Sequence, residues 1–282
     1  MTGWRDMNLT GGSDEIMVLA RSALLDALIA IEAHRDSVIV IGAQAIYLHT
    51  GSAPVAVAET TKDSDLGIDV RTLGDEPLIE DAMRRAGFLN DALAGQPGSW
   101  LSASGVPVDL MVPEAIAGRG RRSVEAPPHD SRALRRAVGL EAAIVDNEVM
   151  TIRALAADDN RAVDARVAGP AALLVAKLHK LGERQEKAPA RLVDKDAYDV
   201  YRLLVTVPTS DLAATILRLR GDDLAGGVTV QALDYLDQLF GAAERVGAFM
   251  AGRAEELVGD PAVVSAACAA LTGDLLELVG RE

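Results

Sequence analysis

The chain has 282 residues, a hydrophobic fraction of 49% and a formal net charge of −14 at neutral pH. This length suits one large domain or two modest ones, and the hydrophobic fraction is sufficient for a folded core. The acidic balance argues against a protein that coats nucleic acid, because such binding depends on Lys and Arg neutralising phosphates. It still permits a local basic pocket for one nucleotide or one RNA end.

The cysteine count and the N-terminus favour a cytoplasmic protein. The single cysteine, Cys268, can form neither an internal disulfide nor a thiolate metal site, and its apolar surroundings predict a buried side chain. Residues 1–8 lack the basic-then-apolar layout of a signal peptide. No run reaches the roughly 18 apolar residues of a membrane span, so we expect no membrane association.

In chain order, the first half predicts alternating helices and strands. Apolar residues recur at helical spacing through 16–32, and a β-branched run at 37–42 predicts a buried strand. This strand stops at Gly42 and continues into a segment of helical composition, and such a turn places backbone N–H groups where they can bind an anion. Further predictions are a helix at 76–86 and strands at 100–102, 106–112, 149–155 and 162–167.

Two aspartates mark the start of another predicted strand, at 61–70. Strand side chains alternate between faces, so Asp63 and Asp65 point the same way. Two neighbouring carboxylates repel each other unless a cation lies between them, and Mg²⁺ bound by carboxylates and substrate phosphates is usual in phosphoryl transfer. Taken alone, an Asp-x-Asp pair is more often an ordinary acidic turn.

A third carboxylate, Asp109, interrupts the apolar strand at 106–112. The apolar residues at 106, 108, 110 and 112 share one face, and Asp109 shares the other face with Met111. A buried carboxylate without a partner is costly, so Asp109 either faces water on an edge strand or belongs to a site. If its strand lies beside that of Asp65, the three carboxylates form one metal site.

The second half of the chain, after Gly169, is predicted to be helical almost to its end. Helices are predicted at 171–185, from 194 onward, and at 210–219, 230–256 and 262–279. Lys177, Lys180 and Arg184 line one stripe of the first of these helices. On the next helix Asp196 and Asp199 are either an ordinary surface pair or groups that position Lys177 or a nucleotide sugar.

Other polar residues give weaker signals. The basic runs at 118–122 and 132–136 are of a kind that usually forms a solvated, flexible face. None of the four histidines lies at metal-ligand spacing, so no zinc site is expected. His179 is predicted on a helix surface.

The order of these features resembles the DNA polymerase β-like nucleotidyltransferase superfamily. A strand–Gly42–helix turn is followed by Asp63-x-Asp65 on one strand and by Asp109 on a later one. The basic stripe at 177–184 followed by the acidic helix start at 194–199 resembles the AbiEii/MenT branch, which comprises toxin components of bacterial toxin–antitoxin and phage-defence pairs. The resemblance covers about residues 38–204.

One departure concerns the glycine turn, which in the superfamily commonly reads Gly-Ser or Gly-Gly. Here Ala43 follows Gly42, so a hydroxyl that often contacts a nucleotide phosphate is missing. Gln44 or Thr61 would have to replace that contact, whereas the backbone anion site is retained.

The resemblance implies an α+β fold with two domains. Residues 1–168 would form a nucleotidyltransferase core with a mixed sheet and flanking helices, and residues 169–282 a helical domain that completes the nucleotide site. The implied reaction moves a nucleoside monophosphate from a nucleoside triphosphate to an acceptor and releases pyrophosphate, with Mg²⁺ or Mn²⁺ as cofactor. The implied acceptor is the 3′ end of a tRNA. The implied partner is a protein antitoxin encoded nearby, and no DNA partner is expected.

The resemblance also assigns roles to individual residues. The metal ligands would be Asp63, Asp65 and Asp109. The catalytic residues would be Asp63, Asp65, Asp109, Lys177 and Asp199. The nucleotide-binding residues would be Gly42, Ala43, Gln44, Thr61, Lys62, Lys177, Lys180, Arg184 and Asp196.

Two alternatives stay open. The same chemistry could act on a small molecule, such as an aminoglycoside-like compound, or on a protein hydroxyl, and the acidity of the chain favours a cationic small acceptor. A non-catalytic member of the fold could instead bind a partner. Ala43 favours this second alternative, whereas the three carboxylates argue against it, because they have little structural use without a metal.

Overall fold

The computed structural model describes residues 13–51, 63–91, 95–118, 122–256 and 259–280. These residues form an α+β fold, with a mixed eight-stranded sheet in the N-terminal half and a mostly helical C-terminal region. The α+β class, the mixed sheet and the helical second half predicted from the sequence are confirmed.

The chain divides into two compact units. Unit 1 comprises the described residues of 1–44, 60–137 and 148–167. Unit 2 comprises those of 45–59, 138–147 and 168–282. The chain enters unit 2 for the last time between residues 167 and 168, one residue before the predicted boundary at 168/169. Two earlier segments of the chain also belong to unit 2.

Unit 1 is built around the sheet. The helices that lie or begin in it are α1 (Ser13–Ala30), α2 (Gly42–Thr50), α3 (Ile79–Arg85) and α4 (Glu114–Ala117). The strands are β1 (Val38–Ile41), β2 (Ser64–Ile68), β3 (Leu89–Asn90), β4 (Ser99–Leu101), β5 (Pro107–Pro113), β6 (Arg135–Ala137), β7 (Asn147–Arg153) and β8 (Ala162–Ala168). Their order is β3-β4-β5-β2-β1-β8-β7, with β6 paired to β5.

The centre of this sheet follows from the apolar patterns of its strands. All four residues of β1 are buried, as its unbroken β-branched run predicts. β2 runs antiparallel to β1 and parallel to β5, and α1 packs against β2 and β5. β4 and β5 form the predicted antiparallel hairpin, in which Trp100 is fully buried and donates from Nε1 to Ala133 O at 3.1 Å.

Unit 2 is helical. Its helices are α5 (Glu141–Val145), α6 (Pro170–Lys187), α7 (Asp194–Thr206), α8 (Thr209–Arg220), α9 (Gly226–Phe240), α10 (Val246–Arg253) and α11 (Pro261–Leu278). At the start of α6, Asp146 Oδ2 accepts a hydrogen bond from Ala172 N at 3.1 Å, which satisfies one of the open N–H groups of the first turn. A Cβ on Gly169 would lie 2.6 Å from Asp146 Cγ, so this close approach requires glycine.

The prediction of one helix through 230–256 is wrong. The chain leaves the helical path after Phe240 and restarts at Val246, giving α9 and α10. Gly247 permits the two helices to meet, because a Cβ there would lie 2.7 Å from the Phe240 ring and 2.8 Å from Leu239 O. Apolar periodicity continues across this turn, which is why the sequence pattern does not reveal it.

Of the helices that the structure describes, α11 comes nearest to a membrane span, although Asp274 and Glu277 interrupt its apolar run, and the expectation of no membrane association stays a prediction. By length and composition alone the helix qualifies, with 18 residues and a mean hydropathy of 1.4. Among the described helices, α7 and α8 qualify only as a pair, with a bend of 110° between them. One face of α11 packs within unit 2, where Ser265 Oγ donates to Ala248 O of α10 at 3.0 Å and Cys268 is fully buried, as predicted.

Replacing Gly182 with alanine is expected to lower the free energy of unfolding by about 1–3 kcal/mol. Helices α6 and α9 meet at this residue, and a Cβ there would lie 2.5 Å from Tyr235 Cε1. Gly273→Ala in α11 is the matched control, because no atom lies within 4 Å of its added Cβ. The control should gain about 0.5–1 kcal/mol from helix propensity. Urea unfolding of both variants measures the difference, and a gain in both would contradict the close contact.

Candidate functional site

The turn from β1 into α2 has a conformation that only glycine adopts readily. Gly42 has a φ of 68°, in the left-handed region. A Cβ at this position would overlap Asp65 Oδ2 and would lie 3.1 Å from Asp65 Cβ. The Asp65 carboxylate therefore lies directly against the start of α2, where helix N–H groups have no intrahelical partner.

The predicted neighbours Asp65 and Asp109 are brought together. They are register partners on the parallel strands β2 and β5, so their side chains project from the same face about 4.8 Å apart along the sheet. The expectation that the two strands lie side by side is confirmed. Asp63 precedes β2 and is exposed, whereas Asp109 is only 9% exposed.

Asp109 forms an ion pair that the sequence did not predict. Its Oδ2 accepts from Arg135 Nη2 at 2.6 Å, and its buried Oδ1 has no hydrogen-bond partner among the described residues. Arg135 also donates from Nη1 to Gln96 Oε1 at 3.1 Å and approaches Met111 Sδ at 3.0 Å. The prediction of a solvated, flexible basic face at 132–136 is wrong for Arg135, because β6 pairs with β5 and directs this side chain to the Asp109 carboxylate.

Gln44, predicted to contact the nucleotide, points into the core of unit 1. It is 1% exposed, and its Oε1 accepts from Arg21 Nε at 2.9 Å. Arg21 also donates to Arg153 O at 3.1 Å, and burial lowers the pKa of its guanidinium. Arg21 was not identified from the sequence. The signal that could have revealed it is that it is a single basic residue inside the apolar segment 16–31. The other predicted contacts, Thr61 and Lys62, lie outside the described residues.

The carboxylates of unit 1 are candidate ligands for Mg²⁺. In the described part of the chain, no group of three or more His, Cys, Asp or Glu side chains is placed to hold a metal ion. Asp65 and Asp109 nevertheless suit Mg²⁺, which is often bound by one or two carboxylates together with substrate phosphates. The unpartnered Oδ1 of Asp109 is an oxygen that such an ion would satisfy. The fit therefore rests on two carboxylates, one of which is shared with Arg135.

The predicted residues of the second half form an ion cluster between α6 and α7. Lys177 Nζ lies 2.8 Å from Asp196 Oδ1 and 2.6 Å from Asp199 Oδ2. Lys180 Nζ and Arg184 Nη1 also contact Asp196, both at 2.8 Å. Asp196 and Asp199 are 5% and 2% exposed, so the alternative of an ordinary surface pair is wrong.

Electrostatics keep Lys177 and Asp196 charged. Burial alone would lower the pKa of Lys177, but Asp196 and Asp199 outweigh it and raise that pKa. Burial alone would raise the pKa of Asp196, but Lys177 and Lys180 outweigh it and hold that pKa well below its usual range. The three cations and two carboxylates leave one positive charge, and Lys180 is partly exposed. The cluster can therefore attract an anion.

The C-terminal end of α2 lies near this cluster within unit 2, close enough for Asp199 and Lys177 to act on Tyr47. Arg202, 2% exposed, donates from Nε to Thr50 Oγ1 at 2.6 Å and from Nη2 to Thr50 O at 2.9 Å. Its guanidinium lies 5.1 Å from the ring centroid of Tyr47. Burial and the nearby charge of Asp199 raise the pKa of Tyr47 to about 12. None of the three residues Tyr47, Thr50 and Arg202 was predicted from the sequence to belong to a site.

His179 is not on the helix surface, contrary to prediction. It is 1% exposed and packs between α6 and α9, with Nε2 at 2.8 Å from Val228 O. Its ring lies edge-on to Tyr235, with 5.7 Å between ring centroids. The short distance between the two helices at Gly182 leaves this face of α6 without access to water.

No match to this chain was found among protein-family models, among curated proteins or among solved structures. A function is therefore inferred from the two clusters, each within its own unit. In unit 1 a pair of carboxylates lies beside the start of a helix. In unit 2 an ion cluster carries an excess positive charge.

Proposed function

We propose that this protein is a metal-dependent nucleotidyltransferase that moves a nucleoside monophosphate from a nucleoside triphosphate to an acceptor and releases pyrophosphate. The observation that carries the proposal is the Gly42 turn, where the Asp65 carboxylate lies against the start of α2 with Asp109 opposite. Helix-start N–H groups suit phosphate oxygens, and the adjacent carboxylates suit a divalent cation. The order of these features along the chain supports a polymerase β-like nucleotidyltransferase fold.

In this proposal the residues of unit 1 hold the cofactor and the phosphates. Asp65 and Asp109 would bind Mg²⁺ or Mn²⁺, with Asp63 as the remaining predicted ligand. When bound, the ion would stabilise charge on the attacking and leaving oxygens of an in-line displacement. The backbone N–H groups that follow Gly42 would bind phosphate oxygens.

In unit 2 the cationic cluster is proposed to contact the nucleotide. Lys180 and Arg184 lie at the more exposed end of the cluster, where a phosphate can replace part of their contact with Asp196. Lys177 is buried and held by Asp196 and Asp199, which fix the position of its ammonium group. Lys177 and Asp199 keep their predicted catalytic roles in this proposal.

The proposed acceptor is the 3′ end of a tRNA, and the proposed biological role is the toxin of a bacterial toxin–antitoxin pair. Support comes from the order of the basic stripe and the acidic helix start, which resembles the AbiEii/MenT branch. The proposed partner is a protein antitoxin encoded nearby, and the proposed location is the cytoplasm.

Asp65→Asn is expected to reduce nucleotide transfer by about 100-fold or more, since it removes a charged ligand at the centre of the site. The assay supplies Mg²⁺, each labelled nucleoside triphosphate, and either total RNA, the protein itself or aminoglycosides. Asp81→Asn is the matched control, because Asp81 is an exposed carboxylate on α3 in the same unit. Label in RNA supports the tRNA proposal, and label in another pool changes the acceptor. Absence of label from every pool, while a known nucleotidyltransferase works under the same conditions, would contradict the proposed activity.

A second candidate function is non-catalytic binding of a partner protein. The observation that favours it is the ion pair between Asp109 and Arg135, which occupies an oxygen of a predicted metal ligand. On this alternative the carboxylates serve the fold, and neither divalent-cation binding nor nucleotide transfer is expected.

A further inference from the structure

Asp109 is a buried carboxylate that needs a counter-charge. Its side chain is buried and projects from β5. In the described residues its ion-pair partner is Arg135, 2.6 Å away. An isolated charge in such a place is unfavourable, so the guanidinium stabilises the ionised carboxylate. Without a bound cation, Arg135 supplies the positive charge that Asp109 requires.

The contact uses only half of the carboxylate. Oδ2 faces Arg135, whereas the buried Oδ1 has no hydrogen-bond partner in the described part of the chain. The register places Asp65 directly opposite Asp109 on β2. Asp109 can therefore be shared between Arg135 and a cation that also contacts Asp65.

Arg135 has other partners if this contact weakens. Its Nη1 donates to Gln96 Oε1 at 3.1 Å, and its Nη2 also approaches Met111 Sδ at 3.0 Å. The side chain is 19% exposed, so part of it reaches water. A divalent cation beside Asp109 would repel the guanidinium, which could keep the Gln96 contact while it moves away.

We propose that Arg135 is a positioning residue that competes with the divalent cation for Asp109, so that it sets the cation affinity of the carboxylate pair. This inference rests on the proposed function, because it requires that Asp65 and Asp109 bind a cation. Linkage is reciprocal: if the cation weakens the contact between Arg135 and Asp109, then that contact weakens cation binding by the same factor.

Mn²⁺ binding to the full chain, measured by electron paramagnetic resonance and by calorimetry, tests this proposal without any activity assay. Arg135→Gln is expected to tighten Mn²⁺ binding by about tenfold or more, because the guanidinium that competes with the ion for the buried Asp109 carboxylate is removed. Without Mn²⁺ the variant should melt at a lower temperature than the wild type, and Mn²⁺ should raise its Tm by more.

Two controls isolate the contact. Arg136→Gln makes the same charge change on the next residue of β6, whose side chain projects to the opposite face and lies 3.9 Å from Glu114. It should leave Mn²⁺ affinity unchanged within about twofold, since its guanidinium lies on the opposite face of the sheet and is paired with Glu114. In an Asp109→Asn background, Arg135→Gln should no longer tighten binding. If Arg135→Gln does not fold, Arg135→Lys keeps the charge but loses the forked geometry, and it should give an intermediate affinity.

The outcomes separate this inference from the function on which it rests. Wild-type affinity in both Arg135 variants, with binding abolished by Asp65→Asn, would overturn the role of Arg135 and leave the proposed activity intact. No Mn²⁺ binding by the wild type or by any variant would overturn both.

Discussion

Lys177→Met is expected to lower the free energy of unfolding by about 3–5 kcal/mol, the usual cost of removing one partner from a buried ion pair. Lys177 Nζ contacts both Asp196 and Asp199, and all three side chains are buried. In the described residues Lys177 is the ion-pair partner of Asp199, so the substitution leaves that carboxylate without its counter-charge. Methionine keeps most of the aliphatic volume, so the loss of stability reflects the removal of the ammonium charge.

Lys187→Met is the matched control, at the end of the same helix. Lys187 pairs with Glu183 four residues earlier, and its side chain is 69% exposed. Exposed pairs of this kind contribute little, so no measurable change in stability is expected. Urea unfolding of both variants at neutral pH gives the comparison, and equal effects would mean that the cluster around Lys177 contributes no more than a surface pair.

The pH dependence of the Lys177→Met effect provides a second readout. The pKa of Asp196 is lowered in the folded protein, so its contribution is present above the pKa of the unfolded carboxyl, about 3.9, and is lost as the pH falls through the folded value. The pKa of Lys177 is raised, so its contribution persists through neutral pH and is lost only at high pH. The difference between wild type and variant should therefore be large at pH 7 and should shrink below about pH 4.

Gly42→Ala is expected to lower the free energy of unfolding by about 2–5 kcal/mol and to abolish nucleotide transfer. A left-handed φ costs an L-residue roughly 1–2 kcal/mol, and forced overlap in a packed site costs roughly 1–3 kcal/mol more. The added methyl group overlaps Asp65 Oδ2, so relief of that overlap must move either the turn or the carboxylate.

Gly87→Ala separates these two costs. Gly87 also has a positive φ, 85°, but no atom lies within 4 Å of its added Cβ. Its substitution should cost only the backbone term, about 1–2 kcal/mol, and should leave transfer activity unchanged. If the two variants lose the same stability and keep the same activity, Gly42 has no specific relation to Asp65.

Local patterns predicted much of the fold. The β-branched run of β1, the alternation in β5 and the helical spacing of α1 and α6 each identified the correct element. Alternation also placed Asp109 on the face opposite its apolar neighbours, and Arg135 indeed contacts both Asp109 and Met111 on that face. These predictions succeeded because each depends on a period within one segment.

Contacts between distant segments could not be read from one sequence. The partner of Asp109 lies on the three-residue strand β6, whose pairing with β5 gives no periodic signal. The same limit hid the contact between Arg21 and Gln44, and the burial of His179 depends on how closely α9 approaches α6. For the ion cluster, helical spacing within each segment identified Lys177 on α6 and Asp196 on α7. Their contact with each other depends on the packing of α6 on α7, which one sequence does not reveal.

The contact between Thr50 and Arg202 has a consequence for biosynthesis. These residues are 152 positions apart, although both belong to unit 2. At translation rates of 5–20 residues per second, the end of α2 waits roughly 8–30 s for Arg202 to be made. Residues 45–51 and 138–147 must therefore stay available until the C-terminal helices emerge from the ribosome. A nascent chain that ends near residue 168 cannot complete unit 2, so we expect its assembly to follow synthesis of α7 and the helices after it.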